Sequence, residues 1–183
     1  SLMWMNASEV AFLRAEGALR GWAMGGDAKT FYEEGIRLSF ERCGVADQLA
    51  AYMASAALPG SYADPAFGHD YTNLSTVTIP WNDAADFEEN LERIITQKWI
   101  ANFPLGSEAW ADYRRTGYPQ LFPVVVNNNP DITNLQLGAR RLTYPLEEYE
   151  ANGATIQAAV DEWLGGQDKM STRLWWDCNP RIR

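Results

Sequence analysis

F-E-E-N-L-E-R-I-I-T-Q-K-W-I-A-N-F-P-L-G-S-E-A-W-A-D-Y-R-R-T-G-Y-P, residues 87–119, is the stretch whose reading decides the fold. Phe87, Leu91, Ile94, Ile95 and Trp99 recur at steps of three and four, which predicts one apolar stripe along a helix. Pro104-Leu105-Gly106 breaks that helix. A second helix is expected to open with Ser107 as its N-cap and to close at Gly117, a residue suited to the left-handed conformation past a helix end. Trp110 and Tyr113 share a face of it, and Arg114 and Arg115 fill its last turn, where cations suit the helix dipole. The two arginines are expected to tie Asp112, Glu108 or the helix-end carbonyls. So many large apolar groups must be dry, and Trp99 and Trp110 are expected to be buried struts of a helical core.

Working outward, 183 residues suffice for one domain with a sizeable core. Aromatics reach 13%, with 8 Trp, an excess that points to an aromatic-rich core or to ring surfaces for a ligand such as a sugar. The net charge of −9 and pI near 4.6, without a long basic run, argue against nucleic acid, whose phosphates dominate that kind of affinity. No run approaches the roughly 18 apolar residues of a membrane span. Cys43 and Cys178 sit in unlike contexts, and free, mostly buried thiols are expected. The chain drops almost at once into a helix, which reads as a piece of a longer protein.

Asn6 with Glu9 three later fits a capping box, followed by Phe12, Ala15, Leu19 and Trp22 at helical spacing up to Met24-Gly25-Gly26. Asp27 caps a second helix to about Arg42, with Tyr32, Ile36 and Phe40 on one side and Gly44 as its stop. Ala11, Ala15, Ala18 and Gly35 would let the two backbones approach, so residues 8–44 form a single hairpin of tetratricopeptide-like length. A third, Ala-rich helix is expected over 46–57, a short strand over 76–79 and a last helix over 154–164 with Ile156, Val160, Trp163 and Leu164 inward. Asn127-Asn128-Asn129-Pro130 must turn, and Trp175-Trp176 is read as a packed tail.

Chemistry is sparse. The one histidine, His69, lies near Asp64 and Asp70 in the irregular stretch 58–83, without diagnostic metal spacing, and no nucleophile motif or phosphate loop accompanies it. Adjacent acids such as Glu88 and Glu89 do not face each other on a helix and read as a solvated face. No enzyme, cofactor or metal centre is expected. Binding fits better: Tyr62, Phe67, Tyr71 and Trp81 mix with Asp64, Asp70, Asn73 and Asn82, so rings could take the C–H face of a sugar while amides and carboxylates take hydroxyls. Tyr62, Tyr71, Trp81 and Asn82 are the candidate ligand-binding residues; the commoner use of such rings is to pin a long loop to the body.

I-I-T-Q-K-W-I-A-N-F, G-S-E-A-W-A-D-Y-R-R-T-G-Y-P, R-R-L-T-Y-P-L-E-E-Y-E-A-N-G-A-T-I-Q-A-A-V and W-W-D together resemble the C-terminal region of the SusD/RagB family, and E-V-A-F-L-R-A-E-G-A-L-R-G-W resembles one of its late helices. The likeness runs from about Asn6 to Asp177. It implies a mainly α, tetratricopeptide-like α-superhelical scaffold with long irregular loops, residues 1–183 being the C-terminal portion of a single SusD-like domain. It also implies a non-catalytic nutrient-binding lipoprotein of the Bacteroidetes outer membrane, surface-exposed, lipid-anchored in the full-length protein. Its partners would be a SusC-like TonB-dependent transporter and an oligo- or polysaccharide. The alternative is a tetratricopeptide-type protein-interaction module that binds no sugar. Apolar surface near Phe12 and Trp22, left bare by absent helices, makes a dimer a further expectation.

Overall fold

The structure is a computed structural model describing residues 3–66, 68–132, 134–135 and 137–179. Among the described residues six α-helices and one 3₁₀ turn occur and no strand, so the body is mainly helical, as expected. The chain divides into two units, Ser1–Tyr113 with Tyr118–Gln120, and Arg114–Gly117 with Leu121–Arg183.

The first unit is built on a helical hairpin. Helix α1 (Ala7–Leu19) starts where Asn6 Oδ1 accepts the Glu9 N–H at 2.7 Å. It stops three residues before Trp22, because Gly21 turns to a φ of +80°. Trp22 therefore leaves the stripe and is exposed. Helix α2 (Ala28–Arg42) starts where Asp27 accepts the Thr30 N–H at 2.9 Å, and it ends before Gly44 at φ +71°. The close approach expected at Gly35 is real: a Cβ there would stand 2.7 Å from the Phe12 ring. Phe12, Ala15, Phe31, Tyr32, Ile36, Ile94 and Ala101 form the dry core.

The Ala-rich third segment is shorter than expected, a 3₁₀ turn Ala46–Gln48 running into α3 (Leu49–Met53). Alanine favours helix but buries little, and no side chain caps the start of either piece. Helix α4 (Phe87–Ala101) begins where Asp86 accepts the Glu89 N–H at 2.8 Å. Leu91, Ile94 and Ile95 are buried, but Phe87 and Trp99, at the ends of the stripe, are exposed. Trp99 is thus no strut. The burial it was expected to supply comes instead from polar α4 residues, among them Asn90, Glu92, Arg93 and Lys98. Helix α5 (Gly106–Thr116) opens one residue before Ser107 and ends, as expected, at Gly117 with φ +78°. Trp110 is half-buried. Asp112 pairs with buried Lys98 at 2.7 Å.

The second unit has one long helix, α6 (Leu146–Trp163), with Asn152 at φ −144° and ψ 27° marking a break inside it. Its beginning lies well before the expected one because Glu147 and Glu148 supply a first turn that suits the dipole. Ile156, Val160 and Leu164 cluster with Tyr144, Tyr149 and Leu174. The four-residue step selects Leu164; Trp163, one position over, turns outward and is 70% exposed. Trp175 is 86% exposed, so the tail is not packed there, while the Arg114 guanidinium lies over the Trp176 ring at 5.1 Å. Asn127 closes the expected turn, accepting the Asn129 N–H at 3.0 Å and donating to the Ile132 carbonyl at 3.0 Å. Both cysteines are free and exposed, not buried: Cys43 follows the end of α2, and Cys178 donates to the Trp175 carbonyl in the tail.

Around that small apolar cluster the unit is pinned by charge. Arg140, 1% exposed, donates from Nε and Nη2 to both oxygens of Asp177 at 2.7 and 2.8 Å. Arg114 Nη1 donates to the Arg140 carbonyl at 2.6 Å. Asp168 accepts from Arg141, from the Tyr149 hydroxyl at 2.9 Å and from the Tyr144 N–H at 2.9 Å.

Candidate functional site

The candidate residues all lie in the first unit, on the irregular stretch between α3 and α4. Tyr62 and Tyr71 face each other across one antiparallel pair of backbone hydrogen bonds, 2.8 Å each, which closes the loop 62–71. Inside the loop Asp64 accepts from the Ala66 N–H at 3.0 Å and the His69 N–H at 3.3 Å, while Asp70 accepts from the Asp64 N–H at 2.8 Å. These carboxylates organise backbone. Gly68, at φ +66°, makes the return. His69 is exposed with Nδ1 3.7 Å from Asp64, and among the described residues no group of three His, Cys, Asp or Glu side chains is placed to hold a metal ion. Phe67 lies outside the described residues.

Trp81 and Asn82 sit at the other end of the stretch, just before α4. Trp81 is half-buried, its ring tilted against Tyr32 at 5.4 Å between centroids, and its indole N–H donates to Asp83 at 3.1 Å. Asn82 is exposed; its Oδ1 accepts the Ala84 N–H at 3.0 Å and its amide reaches Glu89 at 3.4 Å. The candidates are therefore held as two pairs, Tyr62 with Tyr71 and Trp81 with Asn82.

The residues that position the second pair were not singled out by sequence reasoning. Residues 76–79 form no strand, because side chains rather than a neighbouring strand take their carbonyls. The buried Tyr32 hydroxyl donates to the Ile79 carbonyl at 2.6 Å, Arg93 Nε to the Thr78 carbonyl at 3.0 Å, and Asn90 to the Asn82 carbonyl at 3.0 Å. Burial pushes the Tyr32 phenol far above its ordinary range, so it stays a donor at any working pH. Arg93 in turn donates to Asn90 at 2.6 Å and Glu89 at 3.0 Å. Lower down, Ser75 Oγ donates to the buried Glu92 at 2.6 Å, and Gln120 donates to the same carboxylate at 3.1 Å. The signal was present in the sequence: Glu89, Asn90, Glu92 and Arg93 are polar residues crowded against the apolar positions Leu91, Ile94 and Ile95. A loop whose backbone is held this way presents its rings without much ordering cost on binding.

A SusD-like family model, described as SusD and RagB outer membrane lipoprotein, matches residues 1–177. A SusD homologue from Bacteroides uniformis is 53% identical at a TM-score of 0.89, covering 96% of this chain and 37% of that one. One from Bacteroides ovatus is 49% identical at 0.86, covering 94% and 37%. A chitin-binding SusD homologue from Flavobacterium johnsoniae is 47% identical at 0.89, covering 96% and 36%. The chain thus spans little more than a third of the length of these relatives. No curated protein matches it.

Proposed function

The chain belongs to the SusD-like family, and on that premise we propose that it is a non-catalytic, glycan-binding part of a SusC/SusD-type outer-membrane uptake system. In this reading residues 1–183 are the C-terminal portion of one SusD-like domain. The full-length protein is lipid-anchored at the cell surface beside a SusC-like TonB-dependent transporter. No helix among the described residues is long and apolar enough to cross a membrane. The α1–α2 hairpin and α4 serve as scaffold, and Tyr62, Tyr71, Trp81 and Asn82 contact the sugar. One observation carries the reading: the stretch bearing Trp81 and Asn82 is held by three side chains that reach its carbonyls, on a chain 47% identical to a chitin-binding homologue.

The test is retention on neutral polysaccharides by affinity electrophoresis. Trp81→Ala and Tyr62→Ala are each expected to weaken binding about tenfold, the ~1.4 kcal/mol of one lost ring contact. Trp81→Phe, which keeps a ring against Tyr32, serves as the folded control. Unchanged retention in both alanine variants removes the ring platform.

A protein-interaction module is the second reading, and one feature favours it. Asn6, the cap of α1, donates to Asn102, at the end of α4, at 3.2 Å. That bond brings Trp4 and Met5 to the same end of the unit as Ile100 and Phe103, all exposed, with Trp4 at 84% and Phe103 at 78%. This is where a partner or a second copy would dock. Phe12, expected to contribute, is 1% exposed and belongs to the core. Retention of a purified SusC-like transporter without any glycan, abolished by Phe103→Glu, would favour this reading. A strictly monomeric sedimentation profile would remove the dimer.

A further inference from the structure

Glu92 is a buried acid on α4, and among the described residues it pairs with no cation. Its oxygens take neutral donors: the Ser75 hydroxyl at 2.6 Å and the Gln120 amide at 3.1 and 3.3 Å. Burying a carboxyl group is unfavourable unless its hydrogen bonds are made, and here one of those bonds leads to the candidate residues. Ser75 is itself buried, and its N–H donates to Asn73 Oδ1 at 3.0 Å while Asn73 Nδ2 donates to the Ser75 carbonyl at 2.8 Å. The Asn73 N–H in turn donates to Ser61 Oγ at 2.9 Å. Ser61 precedes Tyr62 and Asn73 lies just past Tyr71, so this bond closes the loop a second time, outside the Tyr62–Tyr71 bridge. Ser75 and Val77 are buried while Leu74 and Thr76 are exposed, so the segment is fastened inward at one polar and one apolar point. No hydrogen bond of Glu92 or Ser75 goes to Trp81 or Asn82. That pair is placed by Tyr32, Asn90 and Arg93.

We propose that Glu92 is a positioning residue for the Tyr62–Tyr71 pair, acting through Ser75, Asn73 and Ser61. The two ring pairs are thus set in place separately by one stretch of α4, the first by Glu92 and the second by Asn90 and Arg93. The inference rests on the glycan-binding reading above and deepens it, since it names the interior residue on which one half of the contact depends. A ring held in place before the ligand arrives loses less freedom on binding. Without an acceptor at position 92 the Ser75 hydroxyl is stranded in a buried place, and the loop that carries Tyr62 loses a tie to the helix. Tyr62 then contributes less to binding, while Trp81 keeps its contribution.

The test is a set of double variants of the 183-residue chain, read by affinity electrophoresis on neutral polysaccharides. In the otherwise unchanged chain Tyr62→Ala and Trp81→Ala each cost about tenfold in retention. In a Ser75→Ala background Tyr62→Ala is expected to cost less than about threefold, while Trp81→Ala keeps its full cost. Glu92→Ala is expected to act as Ser75→Ala does. Glu92→Gln, which keeps an oxygen to accept from Ser75, restores most of the Tyr62→Ala cost. Without any ligand, amide exchange at Tyr62 and Tyr71 should quicken several-fold in Ser75→Ala, with protection in α4 unchanged. A full cost of Tyr62→Ala in both the Ser75→Ala and Glu92→Ala backgrounds overturns the positioning role and leaves glycan binding standing. An equal fall in both ring effects does the same, because that is what a general loss of structure gives. Ring substitutions without effect in the otherwise unchanged chain, or retention on no polysaccharide, overturn the glycan reading and this inference with it.

Discussion

The two units of the chain are held together by different physics. In the first, Phe12, Ala15, Phe31, Tyr32, Ile36 and Ile94 are buried against one another across helices that the spacing of the sequence already marks. In the second, the dry cluster is essentially Ile156, Val160 and Leu164, and irregular segments are fastened by Arg140 on Asp177 and by three donors on Asp168. Apolar burial is non-directional and tolerates adjustment. A buried ion pair is directional: it contributes little against a well-packed apolar substitute, but removing one partner strands the other charge. The first unit holds a buried pair as well, Lys98 with Asp112, but in the second the apolar cluster is so small that a single polar substitution weighs most there.

The largest expected effect is therefore Asp177→Ala, which leaves the guanidinium of Arg140, 1% exposed, without its bidentate partner. A loss of about 3–5 kcal/mol is expected. Amide hydrogen exchange across 138–179 should show it, with protection in α1, α2 and α4 retained. Equal loss of protection in both units would break the comparison by making them one cooperative block.

A smaller effect is expected from Gly35→Ala in the first unit. The added Cβ would stand 2.7 Å from the Phe12 ring, an overpacking of about 1–3 kcal/mol from which up to ~1 kcal/mol of better helix propensity is returned. The net loss should fall by half or more in a Phe12→Leu background, where the ring that blocks the methyl is gone. A thermal midpoint unchanged by Gly35→Ala alone would mean that the hairpin is not as tightly packed as its core suggests.

The same contrast explains what could be read from residues alone. Asn6, Asp27, Gly44 and Gly117 act locally, through caps and left-handed turns, so the ends they mark could be placed from sequence. Gly35 was legible too, because a small residue on a helix face has few other uses. Trp99 and Trp163 were misjudged because periodicity says which face a residue occupies and not whether anything covers that face. The pairing of Asp112 with Lys98 was missed because that cation lies on another helix, α4. The polar residues crowded among the buried positions of α4 hinted that something is anchored there, but not that it is 76–82, because hydrogen bonds between side chains and distant carbonyls leave no periodic trace. The candidate residues were legible as a composition, rings among amides and acids, but their division into two pairs was not.

The smallest effects sharpen the comparison most, because they differ in sign. In the first unit burial pushes the Glu9 carboxyl up from its ordinary 4.5; Lys98 pulls it down, and Glu108 and Asp112 add to the rise. A folded value above the unfolded one means the native state binds the proton more tightly. That contribution is complete below pH 4.5 and is lost as pH rises through the folded value. In the second unit burial alone would raise the Asp168 carboxyl, but donors from Arg141, Tyr149 and the Tyr144 N–H outweigh it and hold it below its ordinary 3.8. Its contribution is complete above that pH and is lost as pH falls through the folded value. The two windows lie on opposite sides of about pH 4. Glu9→Gln should flatten the loss of protection in α1 and α4 as pH rises above 4.5, and Asp168→Asn the acid loss in 140–168. Exchange measured by segment across pH 3 to 7 reads both slopes, and a shared slope in the two units would mean that these carboxylates do not set it.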